Sequence, residues 1–179
     1  MTFTFREPYA GLLPIANTDS GVLSPVETSN GLTTYYPSSP AKAGMVVTAQ
    51  DPTYGEGEFI LLLGVASTAI GSLVTYNATT FQTALAPVGT NKPQPVAVAM
   101  SATTATTWGW YQISGLAVAK KTSGLALASN AAIGCLTVGL VAATGTGKEI
   151  QGALTAAKAT TPKSVQLIIN RPHMQGRIT

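Results

Sequence analysis

Charged side chains are scarce in this sequence. Asp, Glu, Lys and Arg together make up 9% of the 179 residues, whereas about 25% is usual for a globular domain. The surface is therefore covered mainly by neutral polar residues such as Thr, Ser, Asn and Gln. Such a surface suits a protein that packs against other proteins, because each charge buried in a contact costs free energy.

Residues that commonly carry chemistry are also few. The single cysteine, Cys135, excludes an internal disulfide, and its apolar surroundings predict a buried, unreactive thiol. The single histidine, His173, has no neighbouring carboxylate that would orient it as a base. The acidic residues Asp51, Glu56 and Glu58 lie in a Gly-rich turn, where a solvated loop is a better interpretation than a cation site. We therefore predict no catalytic, cofactor-binding or metal-binding residues, and a protein that is not an enzyme.

The segment ATGTGKE, residues 143–149, resembles the end of a phosphate-binding loop. The complete motif requires Gly five residues before Gly147 and Ser or Thr directly after Lys148. The sequence has Ala142 and Glu149 at these two positions. The segment therefore predicts a glycine turn between strands.

The few charges are unevenly distributed along the chain. Residues 1–58 contain six acidic and two basic residues, a net charge of −4, and residues 59–179 contain eight basic residues and one acidic residue, a net charge of +7. Either this is chance spacing of few charges, or acidic and basic regions of neighbouring subunits face each other. No basic run is longer than Lys120 and Lys121, and no aromatic residues alternate with it, so we expect no nucleic-acid partner.

The longest uncharged stretch is FILLLGVASTAIGSLVTY, residues 59–76. A membrane-spanning helix needs about 20 predominantly apolar residues, and this stretch is interrupted by Gly, Ser and Thr and has no basic flank. Two β-strands joined by a turn explain it better. We therefore expect no contact with a membrane.

The first 44 residues differ in character from the rest. Five prolines between residues 8 and 40 exclude a helix and interrupt any central strand. We predict an extended N-terminal arm over residues 1–44 that lies on a neighbouring subunit, because its many apolar residues disfavour a disordered tail. These residues are Phe3, Phe5, Tyr9, Leu12, Leu13, Ile15, Tyr35 and Tyr36.

From residue 45 onward, short apolar, Thr-rich or aromatic runs recur between turns that contain Gly or Pro. They predict an all-β domain over residues 45–179, a small barrel or sandwich with a short C-terminal tail. Residues 129–143 are also compatible with a short helix, although Gly134 and Gly139 argue against a long one. The predicted strands are MVVTA, EFILLL, SLVTY, FQTAL, PVAVAM, WGWYQIS, LAVAK, LALAS, IQGALTA and SVQLII.

The run WGWYQIS is the most distinctive of these. In a strand, Trp108 and Trp110 point to one face, and Tyr111 and Ile113 point to the other. Large rings on both faces imply a second layer or a partner, and Trp and Tyr are preferred anchors at interfaces. We therefore predict that Trp108, Trp110 and Tyr111 anchor either the edge of the core or a contact between subunits.

Three segments occur in an order that resembles the capsid decoration proteins of tailed bacteriophages, also called cement or head-stabilisation proteins. They are EFILLLGVASTAIGSLVTYNATTFQTAL, PVAVAMSATTATTWGWYQISGLAVAK and a Gly/Ala-rich β region that ends in IINRPHMQG, and together they cover residues 56–175. That family commonly has an aromatic-Gly-aromatic segment before a G-x-A-V-A strand, which correspond here to residues 108–110 and 115–119. The arm is the part that the resemblance covers least.

The resemblance implies a non-enzymatic virion protein, often a trimer, on the outer capsid surface. There it would bridge neighbouring major capsid proteins at three-fold or quasi-three-fold positions and stabilise the head against packaged DNA. Two alternatives remain open. One is another virion subunit, from a tail or fibre. The other is a β-sandwich carbohydrate-binding module, in which Trp108 and Trp110 would form the aromatic platform.

Overall fold

The structure of this protein is a computed structural model, and it describes residues 2–7, 12–19, 23–29, 32–37, 43–105, 107–158 and 163–176. Strands account for all the regular secondary structure in these ranges. No helix occurs in these ranges, which confirms the predicted all-β class. The strands are β1 Thr4–Phe5, β2 Thr18–Asp19, β3 Leu23–Ser29, β4 Leu32–Pro37, β5 Val46–Asp51, β6 Gly55–Leu63, β7 Leu73–Tyr76, β8 Thr83–Leu85, β9 Val96–Ala99, β10 Trp108–Lys120, β11 Ala132–Thr137, β12 Leu140–Ala143, β13 Glu149–Thr155 and β14 Ser164–Met174.

Twelve of the strands belong to one antiparallel sheet. Its main order is β1-β5-β6-β10-β14-β13-β11-β12, while β2 and β9 pair with β10, and β7 joins β9 to β8. The sheet does not close, so the barrel that was one of the two predicted architectures is wrong, whereas a sandwich or an open sheet is consistent with this order. Strands β3 and β4 form a separate hairpin inside the predicted arm, with a register shift between Pro25 and Glu27.

The central element is β10, whose two edges pair with four other strands. Strand β6 lies along one edge, from Trp108 to Gly115, and β2, β9 and β14 follow one another along the other. The sequence predicted two strands here, WGWYQIS and LAVAK. They form one strand because a bulge between Gln112 and Ser114 absorbs the irregularity without ending the ladder.

Gly115 lies directly after this bulge and permits a close approach between β10 and β6. Its φ of +98° is a conformation that other residues rarely adopt, and a Cβ atom there would lie 2.4 Å from the backbone oxygen of Glu56. The residue pairs with Gly57 of β6. Two glycines opposite each other therefore let the two backbones meet where the sheet bends.

Three buried clusters divide the core. The first lies on one face of β5, β6 and β10 and includes Val47, Phe59, Leu61 and Trp110. The second lies on the opposite face of β6 and β10, under β7 and β9, and contains residues such as Tyr111. The third fills the space between β7, β9 and the β10–β14–β13–β11 part of the sheet. The side chains of β7 and β9 are almost all buried because these strands lie between the last two clusters.

In the second half of the chain one predicted strand is absent, and the segment that was left open between helix and strand is a hairpin. The run LALAS, residues 125–129, is not a strand, although Leu127 is buried in the third cluster. Residues 129–143 contain the hairpin of β11 and β12, with no helix. Gly134 explains this result, because a Cβ atom there would lie 2.8 Å from the backbone oxygen of Lys148, so the position requires Gly for close strand packing.

Gly115→Ala is expected to destabilise the protein by at least about 3 kcal/mol, since the new methyl group collides with the β6 backbone and the left-handed φ is strained. Gly124→Ala is the matched control: it also has a positive φ, of +74°, but no atom lies within 4 Å of the added Cβ, so about 1–2 kcal/mol is expected. Urea unfolding measures both. Equal losses of unfolding free energy in the two variants would contradict the role assigned to the close approach between β10 and β6.

Candidate interaction surface

The predicted aromatic anchors on β10 belong to the core of this chain. Trp110 and Tyr111 are fully buried, and Trp108 is half-buried. The predicted split between faces is confirmed, since both Trp residues lie in the first cluster and Tyr111 and Ile113 lie in the second. Both faces are covered by the chain itself, which replaces the prediction that these rings anchor a contact between subunits. It also removes the aromatic platform that a carbohydrate-binding module would need.

Tyr111 illustrates how a polar group is accommodated in the second cluster. Its hydroxyl lies 2.8 Å from the Thr103 hydroxyl, at hydrogen-bond distance. Burial raises the pKa of Tyr111, and hydrogen bonds with Thr103 and Thr83 act in the opposite direction to a smaller extent. The phenol therefore stays neutral, as a structural group.

Trp110 holds residues 12–19 against the sheet. Its indole N–H donates a 2.7 Å hydrogen bond to the backbone oxygen of Leu13, and its ring packs edge-on against Phe5 at a centroid distance of 5.7 Å. Ile15 is 3% exposed and belongs to the same cluster. This part of the predicted arm thus covers the first cluster of its own chain.

The N-terminal residues behave in the same way. Phe3 is buried, with its ring edge-on to Phe59 at 4.8 Å, and β1 pairs with β5. Leu12 and Leu13 are half-buried. For residues 2–7 and 12–19, contact with their own sheet therefore replaces the predicted contact with a neighbouring subunit. Of the remaining predicted anchors, Tyr9 and the side chains of Tyr35 and Tyr36 lie outside what the structure describes.

Asp51 fixes the start of this N-terminal strand. Its carboxylate accepts hydrogen bonds from the backbone N–H of Thr2 at 2.7 Å and from those of Thr53 and Tyr54 at 2.8 and 3.1 Å. Burial raises the pKa of Asp51, but these three bonds and one from the Thr2 hydroxyl together outweigh it, so the pKa lies below its ordinary value of 3.8. The ionised carboxylate is therefore a structural group at neutral pH.

The other two acidic residues of the turn are engaged in ion pairs. Glu56 lies 3.0 Å from Arg6, and Glu58 lies 3.2 Å from Arg171. Across the described ranges, no three His, Cys, Asp or Glu side chains are grouped so that they could hold a metal ion. Each carboxylate of the acidic turn therefore serves a local structural contact.

The two reactive side chains lie in different environments. Cys135 is buried, and its thiol donates to the backbone oxygens of Thr137 at 3.1 Å and Ala86 at 3.3 Å. Burial raises the pKa of Cys135 although neighbouring backbone groups lower it in part, so the thiol is protonated, in agreement with the prediction. His173 lies on β14, opposite Gln151 of β13, and is exposed.

The phosphate-loop-like segment is a turn, as predicted. It joins β12 to β13, and the N–H of Lys148 donates to the backbone oxygen of Gly145 at 2.9 Å. The positive φ of Gly147, 69°, fits this turn. Among the residues that the structure describes, no helix has the length and hydrophobicity that crossing a membrane requires.

One exposed surface has the features of a contact site. We call it the outer face: it consists of the outward-pointing residues of β10, β14, β13 and β11. Across these strands Leu116 pairs with Ile168, Ile168 with Leu154, and Leu154 with Ala132. Ile168 is 53% exposed and Leu154 is 44% exposed. Four strands thus present one continuous apolar row to solvent.

The residues around this row are almost all neutral. The adjacent cross-strand pairs are Val118 with Gln166 and Ser114 with Asn170. The charged residues at exposed positions of β10 and β14 lie toward the ends of the face: Lys120 ends β10, and Arg171 follows Asn170 on β14. This surface is not among those that the sequence predicted. The signal was present in Ser164, Gln166, Ile168 and Asn170, where one exposed apolar residue interrupts an alternating polar pattern.

A scan against models of known protein families and a search of curated proteins both found no match to this chain.

Trp110→Ala is expected to lower the free energy of unfolding by about 3–5 kcal/mol, the cost of removing a fully buried aromatic side chain. The loss should be accompanied by release of residues 12–19, because the hydrogen bond to Leu13 disappears. Trp108→Ala, on the same face but half-buried, should cost clearly less. Denaturant unfolding with hydrogen exchange measures both effects, and similar small losses for the two variants would refute this account of the core.

Asp51→Asn tests the charge at the N-terminal strand. The folded-state pKa of Asp51 is lowered, so its ionised form stabilises the fold above the unfolded-state pKa of about 4, and this stabilisation is lost as the pH falls through the folded-state value. The variant should be less stable than the parent at pH 7, and the difference should shrink below pH 4.

Urea unfolding at pH 7 and pH 3 measures this difference. Glu56→Gln is the control, because an exposed ion pair contributes only about 0–1 kcal/mol. A destabilisation by Asp51→Asn that is the same at both pH values would contradict the role of the charge.

Proposed function

We propose that this protein is a structural component of a tailed bacteriophage particle. It binds the outer surface of the capsid and joins neighbouring major capsid proteins, which stabilises the DNA-filled head. The observation that carries the proposal is the outer face, where Leu154 and Ile168 are exposed within a nearly uncharged sheet surface. An apolar centre with a neutral polar border is the composition of a protein–protein contact.

The low charge content supports the same function. With 9% charged residues, the chain can bury much of its surface in contacts at little electrostatic cost. A protein present in many copies on a particle gains stability from many modest contacts that act together. The resemblance to decoration proteins leads us to propose, in addition, a homo-oligomer, with a trimer favoured.

The segments that resemble decoration proteins are also those on which the fold depends. They contain β6, β7, β9 and β10, which surround the second core cluster. The resemblance therefore covers residues that form part of the core of this fold.

The proposed role is non-enzymatic. The carboxylates Asp51, Glu56 and Glu58 each have a local structural partner, and Cys135 is buried with its pKa raised. His173 lies exposed on a regular strand, opposite Gln151 of β13. These arrangements favour a role in protein–protein contacts over a catalytic role.

Deletion of the gene from the phage that encodes it tests the proposal. The mutant particles should assemble and package DNA, but fewer DNA-filled heads should survive heating, because the contacts between capsid proteins lack reinforcement. Added purified protein should restore survival, and His173→Ala protein should restore it equally. Electron microscopy counts intact heads. Normal heat resistance, or particles that lack tails or fibres, would contradict the proposal.

A further inference from the structure

Three exposed lysines lie at one end of the outer face. Lys120 ends β10 and pairs with Ser164 of β14, and Lys163 directly precedes that residue. Lys158 lies two residues after Ala156, and the N–H of Ala156 donates to the backbone oxygen of Gln166 in β14. The side chains of Lys120, Lys158 and Lys163 are all exposed. One end of a neutral surface is therefore positively charged.

These lysines have no acidic counterpart within the described part of the chain. The two ion pairs there join Arg6 to Glu56 and Arg171 to Glu58. Glu58 lies opposite Ser114, so the acidic group next to the outer face is already neutralised by Arg171. Among the described residues, the lysine end therefore carries positive charge without an acidic side chain against it.

A second copy of this chain is a poor match for that end. Glu56 and Glu58 are held by arginines, and Asp51 is buried and accepts three backbone hydrogen bonds. Glu149 lies at the beginning of β13, near Lys148, where it offers one carboxylate against three ammonium groups. Asp51, Glu56, Glu58 and Glu149 therefore offer little to the lysine end, and a different protein with more accessible acidic side chains is the better complement.

From these observations we infer that the outer face is the surface that docks on the capsid, and that it docks on an apolar strip of the shell bordered on one side by carboxylates. This inference rests on the proposed function. The row of Leu116, Ile168 and Leu154 supplies the apolar contact, and Lys158 and Lys163 meet the carboxylates. The charged end fixes the direction in which the sheet lies on the shell, since a reversed orientation would leave the lysines without partners.

Two double variants test the two halves of the surface. The first, Leu154→Thr with Ile168→Thr, removes the apolar side chains at the centre of the row but keeps residues that favour strands. Its control makes the same kind of change outside the face: Ile70→Thr with Val138→Thr, at apolar residues that are 56% and 52% exposed. Lys158→Glu with Lys163→Glu reverses the charged end. Its control, Lys92→Glu with Lys148→Glu, makes the same change in net charge in the loops before β9 and β13.

Binding of each protein to purified shells that lack it is measured by co-sedimentation, and its oligomeric state by light scattering. Each face variant should bind at least about 10-fold more weakly than the parent, as expected when central contacts of an interface are lost. Each control should bind within about 3-fold of the parent. Parent binding should weaken as salt concentration rises, and the charge-reversed variant should show less of this dependence.

The outcomes separate the inference from the proposed function. If the parent protein does not bind shells, the proposed function is wrong and the inference with it. If the parent binds but both face variants bind equally well, the function stands and the inference is wrong. If the face variants fail to self-associate where the parent does, the outer face joins copies of this chain, which also overturns it. Should the apolar variant unfold, the charge-reversed pair decides alone, because its side chains are exposed.

Discussion

The structure depends on the burial of both faces of the first half of β10. Trp110 on one face and Tyr111 on the other are fully buried, and each belongs to a different core cluster. A strand covered on both sides must have layers above and below it, so β10 requires the N-terminal residues on one side and β7 and β9 on the other. The remaining strands extend the sheet from its two edges. The outer face is exposed because no element of the chain that is described lies over it.

This arrangement separates the stability of the fold from contacts with other molecules. The large aromatic side chains of β10 are used inside the chain, and the exposed apolar groups at the centre of the outer face, Leu154 and Ile168, are aliphatic and lie on β13 and β14. Polar groups in the interior are held by short hydrogen bonds, such as those of Asp51 and Tyr111. Changes to the outer face should therefore alter binding with little effect on folding, which makes the surface accessible to mutagenesis.

The strand pattern of the sequence predicted the fold class and most strands, because β-branched and apolar runs between Gly and Pro turns report directly on local structure. It also predicted that the N-terminal residues dock, since Phe3 and Ile15 are too apolar for a solvated tail. It could not show on which surface they dock. The docking surface depends on Trp110, whose indole N–H donates to the backbone oxygen of Leu13 although the two residues are far apart in the sequence. The outer face was missed for a related reason: Ile168 and Leu154 become neighbours only through the register of β13 and β14.

The hydrogen bond between Trp110 and Leu13 spans 97 positions of the sequence, and this has a consequence for biosynthesis. When the N-terminus leaves the ribosome, the strand that receives it has not yet been made. At about 5–20 residues per second, Phe3, Phe5 and Ile15 wait several seconds or more for β10. During that interval their apolar side chains are exposed on the nascent chain, and they attract chaperones or other nascent chains. The long sequence separation of this contact also places docking of the N-terminus among the slow steps of folding.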